Sequence, residues 1–378
     1  MANEKKTVRE PSFILALVPI VAMIAFMLYC FRGHSETGYH DAHLPLVMSI
    51  IVACIVGFIC GHSFQEMLAG MVERLAASME AVLILATVGF LVTSFMLSGA
   101  IPTMIVYGLD LLTPKLFLPV GCILCAIVGM ACGSSWTTTA TIGLAFLGIG
   151  AGLGIPAPIT AGMIISGAYV GDKFSPLSDT TNLAAAVAET GLFDHVTAMV
   201  STTGPTLLLS LILYTILGLN VDTSAYDATV AEGIQEAFRS AFTISPILLL
   251  PIIVVIVMCI LRVPGLVGIA VSVATAVLFM LIFQSTDIFY SYSLGDIFDV
   301  LHYGHAVETG NAVADSILGK AKGMDGMMWT INLILVALAY GGALERCGCI
   351  EKLFGGLKHK IHSVGSLILA TLLTSIFC

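Results

Sequence analysis

The chain has 378 residues, 58% of them hydrophobic and 10% charged, with a mean hydropathy of +1.02 and a formal net charge of −9. This composition excludes a soluble globular domain, because apolar runs of about 17 to 20 residues recur with the length of transmembrane helices rather than strands. No basic patch is interleaved with aromatic residues, so nucleic acid is excluded as a partner, and most of the charge lies in short loops.

Residues 1–11 are polar and carry Lys5, Lys6 and Arg9, which places the N-terminus in the cytoplasm by the positive-inside rule. The first apolar segment, 12–31, is a full span without a small-residue cleavage pattern and is expected to stay in place. A second helix at 44–60 follows a loop with His34, Glu36, His40, Asp41 and His43, whose irregular spacing reads as a solvated loop. Residues 63–79 mix apolar positions with Glu66, Glu73 and Arg74, as an interfacial amphipathic helix does. A span at 80–98 ends near Ser98–Gly99, and 101–112 reads as a surface or half-inserted piece.

The next unit opens at Pro114. Residues 116–131 descend, Gly133, Ser134, Ser135, Trp136 and Thr137 interrupt, and 138–154 continue with many small residues. We read 116–150 as a re-entrant helical hairpin with that polar run at its tip, Trp136 serving packing rather than ligation. Pro156 and Pro158 start the helix that leads to the most polar stretch of the interior, Gly171 to Asn182. The apolar segment before it is long, but the one after it, 183–188, has six residues. Six helical residues cover roughly 9 Å of a hydrocarbon core ~30 Å thick, so the stretch reads as a transmembrane helix broken at depth.

Beyond the break we expect an interfacial stretch at 191–201, a span at 204–219 and an acidic outer segment with Asp222, Asp227, Glu232 and Glu236. Spans at 244–261 and 264–283 follow. A long polar stretch with Glu308 and Asp315, expected to be solvated or interfacial, reaches the span at 327–344. His195 and His305 are read as surface residues. The basic loop with Arg346, Lys352, Lys358 and Lys360 falls on the side of the N-terminus. Of the ten cysteines, most lie in apolar runs. The Cys122–Cys125 pair reads as packing, and Cys347 and Cys349 have no evident ligand partners.

Span 80–98, Gly99 and span 116–131 overlay on span 327–344, Gly348 and residues 364–378 at an offset of 249. The expected architecture is an all-α, polytopic transporter in one domain, residues 1–378, with inverted repeats at about 63–219 and 305–378, a re-entrant hairpin and a broken transmembrane helix. Under the overlay the chain stops before a second hairpin tip, which reads as a C-terminal truncation.

Four motifs resemble the NhaC family of Na+/H+ antiporters within the wider ion-transporter superfamily. They are Ser98-Gly-Ala-Ile-Pro-Thr103, Gly133-Ser-Ser-Trp136, Gly148-Ile-Gly-Ala-Gly-Leu-Gly-Ile-Pro156 and the run from Ser166 to Ala184. The likeness covers essentially the whole chain and is strongest over 85–205. It implies an antiporter of the inner membrane that exchanges Na+ for H+, some relatives coupling both ions to carboxylate exchange.

Antiport by competition needs one site that holds a proton in one step and Na+ in the other. Hard oxygen ligands suit Na+, and Asp172, Ser175, Ser178, Asp179, Thr180, Thr181 and Asn182 supply them. Exchange near neutral pH asks a carboxylate to hold its proton roughly 4 kcal/mol more firmly than in water, which burial and a second acid favour. Lys173 opposes this, so we expect Asp179 to exchange, with Na+ at Asp179 and Asn182, and Asp172 to form a structural or gating pair with Lys173. Ser134, Ser135 and Thr137 would face the break from the tip. No cofactor is expected; the partners are Na+, H+ and the lipid bilayer, with a homodimer left open. An intramembrane aspartyl protease is excluded, because its G-x-G-D pattern needs Gly where Tyr169 stands. The rival transporter is a Na+/H+-coupled exchanger of small carboxylates or amino acids, with Lys173 as the cation for the carboxylate.

Overall fold

The computed structural model describes residues 8–32, 41–175, 178, 180–181, 184–185, 190–220, 228–261, 263–284, 294–358, 365, 368–369 and 371. All regular structure among them is helical. Four helices are long and apolar enough to cross a membrane: Phe13–Phe31, Leu192–Leu219, Leu266–Phe283 and Asp325–Arg346, or up to six spans if each of two bent helix pairs counts as one. The chain is a multi-pass membrane protein, and it divides into two compact units.

The first unit holds Met1–Leu83 and Met328–Cys378. Helices α1 (Phe13–Arg32) and α2 (His43–Ile59) pack side by side, and α3 (Phe64–Ala77) follows. Ser63 starts α3 in a reciprocal cap: its hydroxyl accepts from Glu66 N at 3.3 Å, and the Glu66 carboxylate accepts from Ser63 N at 2.9 Å. That hydrogen bond is the first reason the Glu66 carboxyl sits below its usual range. Buried Tyr340 donates its hydroxyl proton to Pro19 O at 3.0 Å.

The second unit, Ile84–Met327, carries the site. Its core is filled by Phe95, Ile101, Ile105, Phe117, Phe146 and Phe238. α4 (Met79–Leu97) stops at Gly99, whose φ of +82° is a left-handed turn that favours glycine, and α5 (Ala100–Leu111) leaves from it. α6 (Pro114–Cys132) begins with proline in its first turn, where no N–H is missed, and ends at left-handed Gly133. A single turn, α7 (Ser135–Thr138), a π-helical turn (Thr139–Gly143) and α8 (Leu144–Gly152) carry the chain back along α6. Gly121 of α6 faces Phe146, and Phe117, one turn earlier, faces Gly150. The expected hairpin is present as two antiparallel arms. α9 (Ala157–Phe174) then runs parallel to α6 and ends at the polar stretch.

Two sequence expectations are corrected beyond it. The interfacial stretch at 191–201 and the span at 204–219 form one helix, α10 (Leu192–Leu219), 28 residues long, with Pro205 inside it. Side-chain hydroxyls accompany the backbone through this region, Thr202 donating to Met199 O at 3.1 Å and Thr206 to Thr202 O at 2.9 Å. The acidic segment is a helix from Ala228 on, α11 (Ala228–Ala241), which buries Ala231, Ile234, Ala237 and Phe238 at helical spacing; Asp222 and Asp227 lie outside the described residues. A 91° corner turns α11 into a 3-10 turn and α12 (Leu250–Ile260), and α13 (Gly265–Phe283) follows. Gln284, 4% exposed, clamps three chain breaks: its amide donates to Ser98 O at 2.8 Å and accepts from Thr243 N at 3.1 Å.

The polar stretch before the span at Asp325–Arg346 contains α14 (Leu294–Tyr303) and α15 (Ala312–Leu318), the latter burying Ala314, Ile317 and Leu318. Asp315 caps the loop before α15 by accepting from Thr309 N and Thr309 Oγ at 2.7 Å each, and these bonds hold its carboxyl below the usual range. Glu308 is exposed, as expected. α16 (Asp325–Arg346) ends at left-handed Gly348, φ +72°, and α17 (Cys349–Lys358) follows. The offset of 249 that aligns Gly99 with Gly348 also carries the end of α4 at Leu97 onto Arg346 and the start of α5 at Ala100 onto Cys349.

Candidate functional site

The site is built on a seam of glycines. Gly167 and Gly171 lie one turn apart on α9, so they share a face. A Cβ at Gly167 would overlap Cys122 O, and one at Gly171 would overlap Ala126 O, with Met130 N at 2.7 Å and Gly129 Cα at 2.9 Å. Gly129 on α6 meets Ala168 O in the same way. The two helices therefore touch backbone to backbone, as small residues permit between membrane helices. Cys122 and Cys125 are buried in this seam, which bears out their reading as packing residues.

The seam delivers Asp172, the next residue along α9, to the tip of the hairpin. Asp172 is 6% exposed, and its Oδ2 accepts a hydrogen bond from Ser135 Oγ at 3.1 Å across 37 residues of sequence. Its Oδ1 is buried and has no hydrogen-bond partner among the described residues. Leaving a buried carboxylate oxygen unpaired is costly, and a bound cation or proton would offset that cost.

Local chemistry shapes the tip. Left-handed Gly133 breaks α6, and Ser134 caps the next turn by accepting from Thr137 N at 3.2 Å and Thr137 Oγ at 3.1 Å. Thr138 and Thr139 donate to the carbonyls of Ser134 and Ser135 at 2.9 and 2.8 Å. Ser134 and Thr137 are thereby tied to each other, and Ser135 alone of the expected tip residues is bonded to the Asp172 carboxylate. Trp136 is 54% exposed and lies outside the hydrophobic core, so the packing role expected for it is not what the structure shows.

The other wall is the break after α9. Ser175 ends the helix, its N–H donating to Asp172 O at 3.1 Å. Buried Thr181 donates its hydroxyl to Asp172 O at 3.3 Å and Lys173 O at 3.2 Å, satisfying carbonyls that the end of a helix leaves open. Ser178 and Thr180 exchange a hydroxyl bond at 3.0 Å, and Ser175, Ser178 and Thr181 are all buried. Helical residues resume at 180–181 and 184–185. The expected Asp172–Lys173 pair does not form: Lys173 Nζ lies 3.5 Å from Thr180 Oγ, and no ion pair joins it to Asp172. Consecutive helical residues point about 100° apart and do not face one another. Asp179 and Asn182, the expected exchanging acid and its amide neighbour, lie outside the described residues. Sequence reasoning missed the Ser135–Asp172 bond; its signal is the Gly167–Gly171 spacing just before the acid.

Residues 167–378 match the profile of the Na+/H+ antiporter family. The chain is similar to the Na(+)/H(+) antiporter NhaC of Alkalihalophilus pseudofirmus, 35% identical over 336 residues that cover 89% of this chain and 71% of that protein. It is also similar to the arginine/ornithine antiporter ArcD of Halobacterium salinarum, 34% identical over 97% of this chain and 74% of that one. The malate-2H(+)/Na(+)-lactate antiporter of Bacillus subtilis is 31% identical over 98% of this chain and 77% of its own length. No solved structure matches the chain.

Proposed function

The chain belongs to the Na+/H+ antiporter family, and from that premise we propose that it exchanges Na+ for H+ across the cell membrane by competition at one carboxylate. The observation that carries the assignment to a residue is Asp172: buried, bonded through one oxygen to Ser135, and with its other oxygen unpartnered among the described residues. Protonated, the carboxyl is neutral and can donate from that free oxygen. Ionised, it offers the oxygen to Na+, for which the hydroxyls of Ser135, Ser178 and Thr181 are suitable neighbouring ligands. One charge is held at a time, so the two cations exclude each other without a separate coupling device. Asp179 and Asn182, from the same polar stretch of sequence, are assigned as further ligands. The N-terminus is assigned to the cytoplasm, and the overlay at 249 supports paired repeats.

Asp172→Asn tests this in proteoliposomes loaded with a pH-sensitive dye. The amide keeps the shape but can neither ionise nor take up a proton, so Na+-dependent proton flux is expected to vanish while the protein inserts normally. Wild-type flux in Asp172→Asn with loss in Asp179→Asn would move the assignment to Asp179. A second reading, coupling of Na+ and H+ to an organic anion or amino acid, is favoured by the names of two similar proteins. It predicts that malate, lactate or arginine alters Na+/H+ flux, and that Lys173→Ala abolishes this effect alone.

A further inference from the structure

Cys347, Gly348 and Cys349 form the corner between α16 and α17 within the first unit. The left-handed turn at Gly348, φ +72°, folds the two cysteines toward each other, and their sulfurs lie 3.1 Å apart. Both residues are buried, at 1% and 0% exposure, in a cluster that also holds Cys54 and Cys60. All four are free thiols. Among the described residues no three His, Cys, Asp or Glu side chains converge as metal ligands, so the chemistry this corner offers is that of a thiol pair. Cys347 and Gly348 line a cavity of about 640 Å³, with Arg9, Arg346 and Lys352 on its wall beside the acids Glu345 and Glu351.

We propose that Cys347 and Cys349 are a redox-active dithiol, oxidised to an internal disulfide by low-molecular-weight disulfides that enter this cavity. Cys347 is the attacking group. The side-chain contact with Cys349 brings the Cys347 thiol down to about 7, while the same contact and burial push Cys349 up. The Cys347 thiolate attacks one sulfur of the incoming disulfide, breaks its S–S bond and releases one thiolate. Cys349 then gives up its proton and attacks the Cys347 sulfur of the mixed disulfide, releasing the second thiolate. Two protein thiols are oxidised and one small disulfide is reduced to two thiols. The sulfurs need approach by only about 1 Å to reach bonding distance. A ring closed over three residues is strained, which suits a bond that is made and broken rather than a permanent staple. Once made, it stiffens the corner between the last described span and α17.

The experiment titrates the full chain, in detergent micelles, with glutathione disulfide and follows it by peptide mass spectrometry after alkylation. The peptide that contains 347–349 is expected to lose two hydrogens and to regain them with dithiothreitol, while Cys122 and Cys125 stay reduced. Cys349→Ser is expected to trap glutathione on Cys347, and Cys347→Ser to trap roughly tenfold less on Cys349, following thiolate availability. If both serine variants misfold, phenylarsine oxide on the wild-type chain decides, since it bridges two neighbouring thiols. Blocking of Cys347 and Cys349 together supports the pair. Cys347 and Cys349 remaining alkylatable after either reagent, or a disulfide to Cys54 or Cys60 instead, overturns it.

Discussion

Replacing Gly171 by alanine puts the glycine seam to a quantitative test. The added methyl would overlap Ala126 O and sit 2.7 Å from Met130 N, where ordinary contact begins at 3.4 Å. The tightest contact, to Ala126 O, makes the helices α6 and α9 part by roughly 1.2 Å at this level, and packed interiors resist such overpacking at about 1–3 kcal/mol. Alanine returns about 1 kcal/mol of helix propensity, so the net loss of stability is small, on the order of 0–2 kcal/mol. The larger effect falls on the neighbouring residue. The Ser135–Asp172 bond, 3.1 Å long, stretches past the ~3.5 Å at which such a bond is lost. A hydrogen bond to a charged group contributes about 1.5–3 kcal/mol, so the half-maximal Na+ concentration for antiport is expected to rise roughly 10- to 100-fold. The assay is Na+-driven proton flux in proteoliposomes, with insertion and melting temperature measured in parallel. Gly162→Ala is the control on the same helix, because only Tyr214 OH, at 3.5 Å, stands near its added methyl. A Gly171→Ala protein with wild-type Na+ dependence would refute the argument that the seam sets the site.

Three further outcomes follow from particular contacts. Ser135→Ala removes the hydroxyl that meets Asp172 Oδ2; the apparent Na+ affinity is expected to fall and the pH profile of flux to move, and Ser135→Thr to restore part of both. Gln284→Leu leaves the buried Ser98 O unpaired and frees Thr243 N, which lies nearer the surface, and a loss on the order of 1–3 kcal/mol should appear as a lowered melting temperature. Asp315, whose carboxyl is held below its usual range by Thr309, contributes stability that is fully present above the unfolded-state value and is lost as pH falls through the folded one. Wild type should therefore melt above Asp315→Asn at pH 7, and the gap should close in acid.

Helix ends were readable where the chemistry of a single residue fixes them. Gly99, Gly133, Pro114 and Gly348 each stand at a boundary of the expected kind. The boundary expected between 191–201 and 204–219 does not exist: α10 runs through both, and through Pro205, as one helix. The helix at Ala228–Ala241 escaped notice because its apolar stripe of Ala and Phe is diluted by Glu232 and Glu236 on the solvent side. At the site, the sequence singled out Asp172, Ser175, Ser178 and Thr181, all of which are buried, but not the bond that Asp172 makes. Proximity along the chain suggested Lys173 for Asp172, whereas the structure supplies Ser135 from another helix. Contacts of that kind are set by which backbone faces can approach, and only the glycine spacing carries the information.

Because α6 and α9 meet backbone to backbone at Gly129, Gly167 and Gly171, they have no cushion there that would let one slide on the other. Any motion that opens the carboxylate alternately to the two sides of the membrane must carry both as a single slab. Ser135 on α7 and Asp172 on α9 then travel together, and their bond needs no rebuilding in each half-cycle. Switching of access is left to whatever closes over the slab.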